Sequence, residues 1–545
     1  MHSPPWLLDV IIVGVYFFFV LQVGLLSRGQ DKDLKNFALA GRRMPWWAVL
    51  ASIVAAETSA GTFLGTPAEG FALQNYMYLQ LALGTILGRL IVASLFLKPY
   101  YRYGVYSIYE FLGIRFGPLT QKAASATFLF TRVLACGARL YIAAVVLAVA
   151  WKVFFLGERQ DLFHQWLVYA AALLVLTVAT TVYTAIGGIR AVIWTDLLQA
   201  VLMVGSAMTA LVLLWQRLHA SFPGTTLGSL LPLRVSSMLS LGFHSQTNLS
   251  DNLRAILLQD YTLWAGLLGS TFLTMATHGT DQDMVQRMLT APDVRRSRYS
   301  VVASGLVDIP ISFLFLSIGI LLFHYYRLLP DSQLPPDANE VFPYFILKEM
   351  PSGLRGLLLA GLFAATMGSL SAGLNSLAVS FTRDWWPKIK ATSEMDQTRL
   401  ARYFTTVFAL FIYLIASAIA YFVLTHSGSR MIPIALGIFG YTYGSLLGIF
   451  LLGMVTRRRG NDRGNLLAML CGFAAVSCLS GLLGEIATSI FGSPIIFCSQ
   501  PVISFPWRVL AGSCVTFFIG MCFRSAKNER ELISECSTPE TLSKG

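Results

Sequence analysis

The sequence predicts an all-α integral membrane protein of about thirteen transmembrane helices, on three observations. Of the 545 residues, 55% are hydrophobic and only 12% are charged, whereas about a quarter of the residues in soluble domains are charged. Apolar runs of about 20 residues, long enough to cross a bilayer, recur from end to end. Basic residues collect in alternate connections between these runs. This is the positive-inside pattern, so the net charge of +12 indicates membrane lipid and not nucleic acid as the partner.

The predicted helices follow one another along the whole chain. They lie near residues 6–27, 46–66, 74–98, 120–152, 163–186, 190–216, 257–281, 298–326, 354–382, 401–424, 431–455, 464–490 and 505–523. If the basic connection 28–45 is cytoplasmic, every later basic connection falls on the same side. We therefore expect a multi-pass plasma-membrane protein with its N-terminus outside and its C-terminus in the cytoplasm. A single membrane domain over 1–523 would be followed by a polar cytoplasmic tail over 524–545.

The second predicted helix is polar where it crosses the middle of the membrane. Its central run Ala55-Ala56-Glu57-Thr58-Ser59-Ala60-Gly61-Thr62 contains a carboxylate, several hydroxyls and a glycine. A charge at this depth costs about 2.5–3.5 kcal/mol on insertion scales and marks a functional residue by default. Hydroxyl residues beside a glycine also suit a helix that breaks and presents carbonyl groups to an ion. The run predicts one half of a site for a solute and a cation.

Later helices contain three comparable groups. The seventh helix is interrupted at 275–283 by threonines, a glycine and acids. The ninth contains a run of small and hydroxyl residues at 364–376. The stretch 187–199, at the start of the sixth, contains a pair of glycines followed by Asp196. Broken helices at corresponding places in two halves predict an inverted repeat. The halves would be 46–216 and 257–455, with five helices each and therefore opposite orientations.

Each of these groups also has a purely structural explanation. Ser369 follows Ala365 by four residues, so a hydroxyl and a carbonyl can point to one place, but close helix packing explains the same small residues. Asp196 can pair with an arginine, bind a second ion or take part in gating. The acids of 275–283 can lie at the cytoplasmic mouth, where charge is well solvated.

Two arginines of the fourth helix, Arg132 and Arg139, lie seven residues apart on nearly one face. Buried arginines need anionic partners. Glu57, Asp196 and an anionic solute are the candidates.

The sequence contains none of the common signatures of an enzyme. It has no Gly-rich phosphate loop after a strand, no nucleophile elbow and no His/Cys cluster with ligand spacing. The seven cysteines are scattered. His278 lies alone in its membrane segment, and a lone histidine of this kind is more often a packed residue than a metal ligand. We expect no enzyme and no organic cofactor.

Together these stretches resemble the sodium/solute symporter family, which includes sodium-coupled carriers of sugars, proline, iodide, monocarboxylates and sialic acid. The resemblance extends over about residues 9–452 and is carried by 36–47, 55–65, 106–111, 187–199, Gln286-Arg287 and Leu374-Asn375-Ser376. It implies a LeuT-like five-plus-five inverted repeat with one extra N-terminal helix and two C-terminal helices. The monomer is the expected functional unit.

The resemblance implies a sodium site between the second and ninth helices, with Na⁺ as the coupling ion. Its ligands would be the carbonyl groups of Ala55, Thr58 and Ala365 and the hydroxyl of Ser369. The family has a second hydroxyl where this chain has Gly368, which removes one ligand.

The resemblance implies a second cation site only in part. Asp196 and Ser371 match two of its positions, and Ala372 lacks the hydroxyl of a third.

The expected solute pocket is formed by polar side chains from several helices. These are Glu57, Thr62, Gln80, Thr85, Arg139, Thr274, Thr277 and His278. The mixture suits a small polar or zwitterionic organic solute, and an anion if Arg139 faces it.

The expected activity is import of this solute by symport with sodium, in an alternating-access cycle. Because Gly368 lacks a hydroxyl, a proton-coupled carrier that uses Glu57, Asp196 or His278 is an alternative. A solute sensor that does not transport is a further alternative.

Overall fold

The chain folds as a bundle of helices in the part that the computed structural model describes. That part is residues 6–27, 33–151, 162–224, 226–243, 248–386, 394–425, 437–482 and 503–525. Within it, the only β-type pairing is an isolated bridge between Arg459 and Arg524. From residue 526 onward, the predicted tail lies outside the described residues.

The helices are numbered in chain order. The first half contains α1 (Leu7–Leu26), α2 (Leu34–Leu39), α3 (Trp46–Glu57), α4 (Ala60–Leu73), α5 (Gln80–Ile91), α6 (Leu97–Tyr103), α7 (Tyr109–Arg115), α8 (Pro118–Trp151) and α9 (Leu162–Ser221). The second half contains α10 (Leu227–Leu230), α11 (Val235–Met238), α12 (Leu249–Leu258), α13 (Ser270–Gly279), α14 (Gln282–Met288), α15 (Val294–Leu328), α16 (Ala338–Glu349), α17 (Leu354–Asp384), α18 (Glu394–Thr425), α19 (Ile438–Val455), α20 (Asp462–Leu479) and α21 (Phe505–Cys522).

Each predicted membrane segment coincides with one or more of these helices. Parts of three segments, at 152, 431–436 and 483–490, lie outside the described residues. Eight described helices are long and apolar enough to cross a membrane, or nine if the bent pair α3–α4 forms one span. The described residues thus form an all-helical, multi-pass membrane protein.

Helix α9 is two helices joined at Gly188. Sixty residues of straight helix would extend about 90 Å, and a bilayer core is about 30 Å thick. The backbone of Gly188 is not helical, with φ 56° and ψ −156°. A Cβ at this position would lie 2.7 Å from the carbonyl oxygen of Phe37, so only glycine fits. The boundary predicted between the fifth and sixth segments, 163–186 and 190–216, is therefore present at Gly188.

The break predicted near 55–62 is present. Helix α3 ends at Glu57, α4 begins at Ala60, and the two axes meet at 63°. The backbone amide of Ser59 donates to the carbonyl oxygen of Glu57 at 2.9 Å. This amide therefore does not donate to the carbonyl oxygen of Ala55, as it would in a continuous helix. The carbonyl group of Ala55 is left at a helix end without its helical hydrogen bond.

Helix α17 occupies the centre of the bundle. Its apolar stretch is 94% buried, compared with 22% for that of α1. Asp9 of α1 ties the two helices together, since it accepts hydrogen bonds from the backbone amides of Gly353 and Gly356, at 2.7 and 2.8 Å, and pairs with Arg355 at 2.7 Å. The carboxylate thus meets the positive end of α17.

Close backbone contact joins α5 to the segment around α13. A Cβ at Gly84 would lie 2.0 Å from the carbonyl oxygen of Gly266, and one at Gly88 would lie 2.7 Å from Cβ of Thr274. Small residues permit such an approach between membrane helices. The contact brings the polar seventh predicted segment against the helix that contains Arg89.

Candidate functional site

Glu57, at the end of α3, forms a buried cluster with the side chains of Arg89 and His278. Its Oε1 accepts a hydrogen bond from Arg89 Nη2 and lies 2.5 Å from His278 Nε2, and Arg89 Nε lies 3.4 Å from the same ring nitrogen. The other ring nitrogen of His278, Nδ1, is hydrogen-bonded to Thr277 Oγ1 at 3.0 Å. The side chain of Arg89 is 1% exposed and that of Glu57 is 17% exposed. The cluster is therefore open on the side of Glu57.

The same cluster retains unused polar atoms. Glu57 Oε2 and Arg89 Nη1 are buried and have no hydrogen-bond partner among the described residues. Asp308 of α15 adds a second acidic side chain within electrostatic range of Glu57 and Arg89. The unused acceptor and donor are suited to a ligand with both kinds of hydrogen-bonding group.

Neither Arg89 nor Asp308 was among the predicted site residues. The interpretation that Glu57 neutralises an arginine of the fourth segment is wrong, because the neutralising residue is Arg89 in the third. A signal for both residues was available. They are charged residues inside apolar membrane segments, as Glu57 is.

Some of the predicted solute residues come together around Glu57. Thr62 Oγ1 donates to the carbonyl oxygen of Glu57 at 3.3 Å, and His278 and Thr277 belong to the cluster described above. Thr274 packs on Gly88, next to Arg89. Four predicted residues therefore share one region with Glu57.

Two other predicted solute residues, Gln80 and Thr85, make different contacts. Gln80 donates to the carbonyl oxygens of Met77 and Tyr261, each at 3.2 Å, and accepts from the amide of Ser240 at 3.0 Å. Its polar atoms thus join the start of α5 to the connections that contain Ser240 and Tyr261. Thr85 Oγ1 donates to the carbonyl oxygen of Ala82 in its own helix, at 2.9 Å.

Arg139 is partly exposed and lies over the ring of Phe439, 5.4 Å from the centroid. Its Nε has no hydrogen-bond partner in the described part of the chain. No carboxylate among the described residues forms an ion pair with Arg139, so the expectation that it faces an anionic solute stays a prediction.

On the other side of the break, three oxygen atoms surround the space beside Gly368. Measured from the position that a Cβ of residue 368 would occupy, Gln199 Oε1 lies at 3.0 Å, Asp196 Oδ1 at 3.4 Å and the carbonyl oxygen of Ala55 at 3.7 Å. This contact places the end of α3 against the middle of α17, as predicted for a site shared by these two helices.

The predicted hydroxyl ligands of α17 are bonded to their own helix. Ser369 Oγ donates to the carbonyl oxygen of Thr366 at 2.9 Å, and Ser371 Oγ donates to that of Gly368 at 3.1 Å. A hydroxyl that donates in this way keeps lone pairs for a cation. Ala365 is 2% exposed, in the same buried stretch.

A chain of buried ion pairs connects α8, α14 and α9. Arg132 pairs with Asp281 and, at 3.2 Å, with Asp283, while Arg287 pairs with Asp283 and, at 3.1 Å, with Asp196. Of the candidate partners that the sequence offered for Arg132, neither Glu57 nor Asp196 pairs with it, since its partners are Asp281 and Asp283. Asp281 and Asp283 are 1% and 2% exposed, so they are internal partners and not solvated groups at a mouth.

Comparisons with known proteins show the family of this chain. The sodium:solute symporter family matches residues 37–472. The sodium-dependent multivitamin transporter of Oryctolagus cuniculus is 29% identical over 503 residues, covering 89% of this chain and 71% of that one. The sodium/sialic acid symporter NanT of Aliivibrio fischeri is 25% identical over 473 residues, covering 86% and 87%.

A solved structure has the same fold. It is a sodium-coupled sialic acid symporter in a substrate-bound, outward-open state, with a TM-score of 0.72 and 22% sequence identity over 94% of this chain and 97% of that one.

Proposed function

This chain belongs to the sodium:solute symporter family, and we propose that the break between α3 and α4 separates the two ligands that it carries. Family membership makes the protein a sodium-coupled symporter of small organic solutes and not an enzyme. One observation supports the division. The amide of Ser59 bonds to Glu57 and not to Ala55, which leaves the Ala55 carbonyl beside Gly368 while the Glu57 side chain lies with Arg89.

Sodium binds between α3 and α17. Na⁺ is a hard cation that takes oxygen ligands, and carbonyl groups at broken helices supply them. The ligands are the carbonyl groups of Ala55, Thr58 and Ala365 and the hydroxyl of Ser369, next to Gly368. The distance of 3.7 Å between the Ala55 oxygen and the Cβ position of residue 368 supports this assignment.

The solute binds on the side of Glu57 and is a small polar or zwitterionic molecule. Glu57 Oε2 has no hydrogen-bond partner within the described structure, so it takes a donor group of the solute. Asp308 strengthens the preference for a donor or a positive charge. Arg139, which forms no described ion pair, would take an anionic group.

Transport follows an alternating-access cycle in a LeuT-like inverted repeat. The repeats are 46–216 and 257–455, with one helix before them and two after, and the N-terminus outside. Sodium held between α3 and α17 favours the outward-open state, because a ligand stabilises the state that binds it better. Release of sodium into the cytoplasm lets the repeats move apart, and solute is imported.

Uptake into proteoliposomes tests this proposal. A solute found in a binding screen of sugars, polyols, amino acids, carboxylates and sialic acids should accumulate under an inward sodium gradient. An imposed pH gradient without sodium should drive no uptake. The proposal fails if uptake is indifferent to the sodium gradient, or if Thr58→Ala with Ser369→Ala leaves the ion dependence unchanged.

A further inference from the structure

The chain from the end of α6 into the first turn of α7 contacts two groups of helices, and we call this segment, residues 104–110, the strap. Its first contact is with α14. The side-chain amide of Gln282 accepts a hydrogen bond from the backbone amide of Ile108 and donates one to the carbonyl oxygen of Tyr106, both at 2.8 Å. Gln282 is 0% exposed. The strap is thus held against α14 by hydrogen bonds between neutral groups.

Two tyrosines donate to adjacent carbonyl groups at the junction of α13 and α14. The hydroxyl of Tyr109, in the strap, donates to the carbonyl oxygen of Thr280 at 3.2 Å, and that of Tyr100, in α6, donates to the carbonyl oxygen of Gly279 at 2.6 Å. The hydroxyl of Tyr101 lies 2.9 Å from two carbonyl oxygens, one at the end of α14 and one just beyond it. Helix α6 is therefore bound to α13 and α14 independently of the strap.

On its other side, the strap contacts the last two residues of α17. Ser107 Oγ donates to Asp384 Oδ2 at 2.8 Å, and Glu110 Oε1 accepts from Arg383 Nε at 2.6 Å. The guanidinium of Arg383 also lies over the ring of Tyr106, 4.7 Å from the centroid. Each of these contacts includes a charged group.

Asp384 joins the strap to α8 as well. Besides the hydroxyl of Ser107, its carboxylate accepts from Gln121 Nε2 at 2.9 Å and Ser125 Oγ at 2.8 Å, both of α8, and from Ser380 Oγ at 2.7 Å. Four donors suit an ionised carboxylate, which only accepts. Hydrogen bonds to charged groups are about twice as strong as those between neutral groups. The strap is therefore held more firmly by α8 and α17 than by α14.

Gly104 lies between α6 and the rest of the strap. Its φ is +60°, a value that glycine adopts about as readily as a negative one. Nothing lies within 4 Å of the position that a Cβ would occupy, so the backbone has room to turn. At Gly104, α6 and the strap can therefore move relative to each other.

The boundary between α8 and α14 is closed in this structure. Arg132 of α8 pairs across it with Asp281 and Asp283, which are 1% and 2% exposed. In an alternating-access cycle, two parts of the bundle separate when the carrier opens to the other side of the membrane. Water then solvates the charges that come apart.

We propose that the strap is a cytoplasmic gate, which stays with α8 and α17 and separates from α14 when the carrier opens to the cytoplasm, with Gly104 as the joint. The hydrogen bonds of Gln282 and Tyr109 then exist only in the closed state and oppose opening. Those of Ser107 and Tyr100 exist in both states. The two states are those of the sodium-coupled cycle proposed above, on which this inference rests.

Sodium chloride alone is the probe. The purified full-length protein is titrated with sodium chloride against choline chloride at constant ionic strength, and thermal unfolding is followed by tryptophan fluorescence. Sodium favours the outward-open state, in which the gate is closed, so a weaker gate lowers the fraction that is ready to bind sodium. Gln282→Met keeps the length of the side chain and loses both hydrogen bonds. It should raise the half-saturating sodium concentration by about two- to tenfold.

The two tyrosines form a matched pair. Tyr109→Phe and Tyr100→Phe each remove one hydroxyl from a fully buried ring, together with its bond to one of two adjacent carbonyl groups. Both variants should melt at a lower temperature in choline than the wild type. Only Tyr109→Phe should raise the half-saturating sodium concentration, by about twofold or more. Ser107→Ala should also leave the sodium dependence unchanged, although it removes a bond to a carboxylate.

Gly104→Ala tests the joint. Alanine is strained at a positive φ, and this strain is relieved if residue 104 turns when the gate opens. The closed state alone is then destabilised, and the half-saturating sodium concentration should rise by about fivefold or more. Gly242, in the connection between α11 and α12, has a φ of +72°. Gly242→Ala is therefore the control for backbone strain, and its sodium dependence should equal that of the wild type.

The outcomes separate the gate from the cycle. If sodium does not stabilise the wild type, the proposed coupling to sodium fails and the gate fails with it. If sodium stabilises the wild type and binds equally well to Gln282→Met and Tyr109→Phe, the gate alone is overturned. It is also overturned if Tyr100→Phe or Ser107→Ala weakens sodium binding as much as Tyr109→Phe does. Unchanged sodium dependence in Gly104→Ala overturns the assignment of the joint.

Discussion

Two buried carboxylates flank the break between α3 and α4, and their surroundings differ. Glu57 is paired with a cation of the protein, Arg89, through the same oxygen that contacts His278, and its side chain is 17% exposed. Asp196 is fully buried, and its second oxygen faces two further acceptors, Gln199 Oε1 and the carbonyl oxygen of Ala55. The first region offers a donor and an acceptor, whereas the second offers acceptors only.

This difference is the basis of the proposed ligand of each region. A site of acceptors alone suits a bare cation, whereas an organic solute is bound by a mixture of donors and acceptors. We therefore do not assign the ion to the charged residue in the broken helix. Its charge is balanced by Arg89, and its remaining oxygen is available to the solute.

The largest expected effect comes from removal of the cation beside Glu57. Arg89→Met leaves Glu57 with His278 as its only partner, and breaking a buried ion pair from one side costs about 3–5 kcal/mol. We expect a large fall in the melting temperature and loss of solute uptake. The double variant Arg89→Met with Glu57→Gln should recover most of the stability, because it removes both charges of the pair. If Arg89→Met melts and transports like the wild type, the pair is not structural.

A smaller effect should follow from neutralising Glu57. Glu57→Gln keeps the size of the side chain and removes the charged acceptor. Hydrogen bonds to charged groups are worth about 1.5–3 kcal/mol, so solute affinity should fall by about ten- to hundredfold. Equilibrium binding at saturating sodium measures it. Unchanged solute affinity would place the solute elsewhere.

The smallest expected effect concerns the orientation of His278. Thr277→Val removes the hydroxyl that is hydrogen-bonded to Nδ1 of His278, so the ring loses a bond that orients it. The loss of one neutral hydrogen bond costs about 0.5–1.5 kcal/mol, which corresponds to about a two- to tenfold fall in solute affinity. Thr85→Val is the control, since that hydroxyl bonds only within α5. Equal effects of the two variants would show a general loss of packing.

The fold was largely predictable from sequence because membrane helices are recognisable by the length and hydropathy of their apolar runs. The break at 58–59 and the turn at Gly188 were also predictable, since polar residues, hydroxyls and glycines stand out in apolar runs. The ion pairs between helices were not predictable. Nothing in the spacing of Arg132 shows that Asp281 and Asp283 are its partners, because such contacts depend on how distant segments pack.

The residues of the candidate site were predictable only in part, for the same reason. Glu57, Thr62, Thr277 and His278 were found because they lie in visibly polar runs. Arg89 and Gln199 are single polar residues in otherwise apolar helices, and their role depends on a side-chain direction that the sequence does not contain.

The division of the two ligands at the break is tested most directly by a crossed comparison of Glu57→Gln and Ser369→Ala. The half-saturating sodium concentration is measured without solute, and the solute Kd is measured at saturating sodium, so that each quantity is free of linkage to the other ligand. We expect Glu57→Gln to raise only the solute Kd and Ser369→Ala to raise only the half-saturating sodium concentration. If either variant changes both quantities, or if the pattern is reversed, the break does not separate the two ligands.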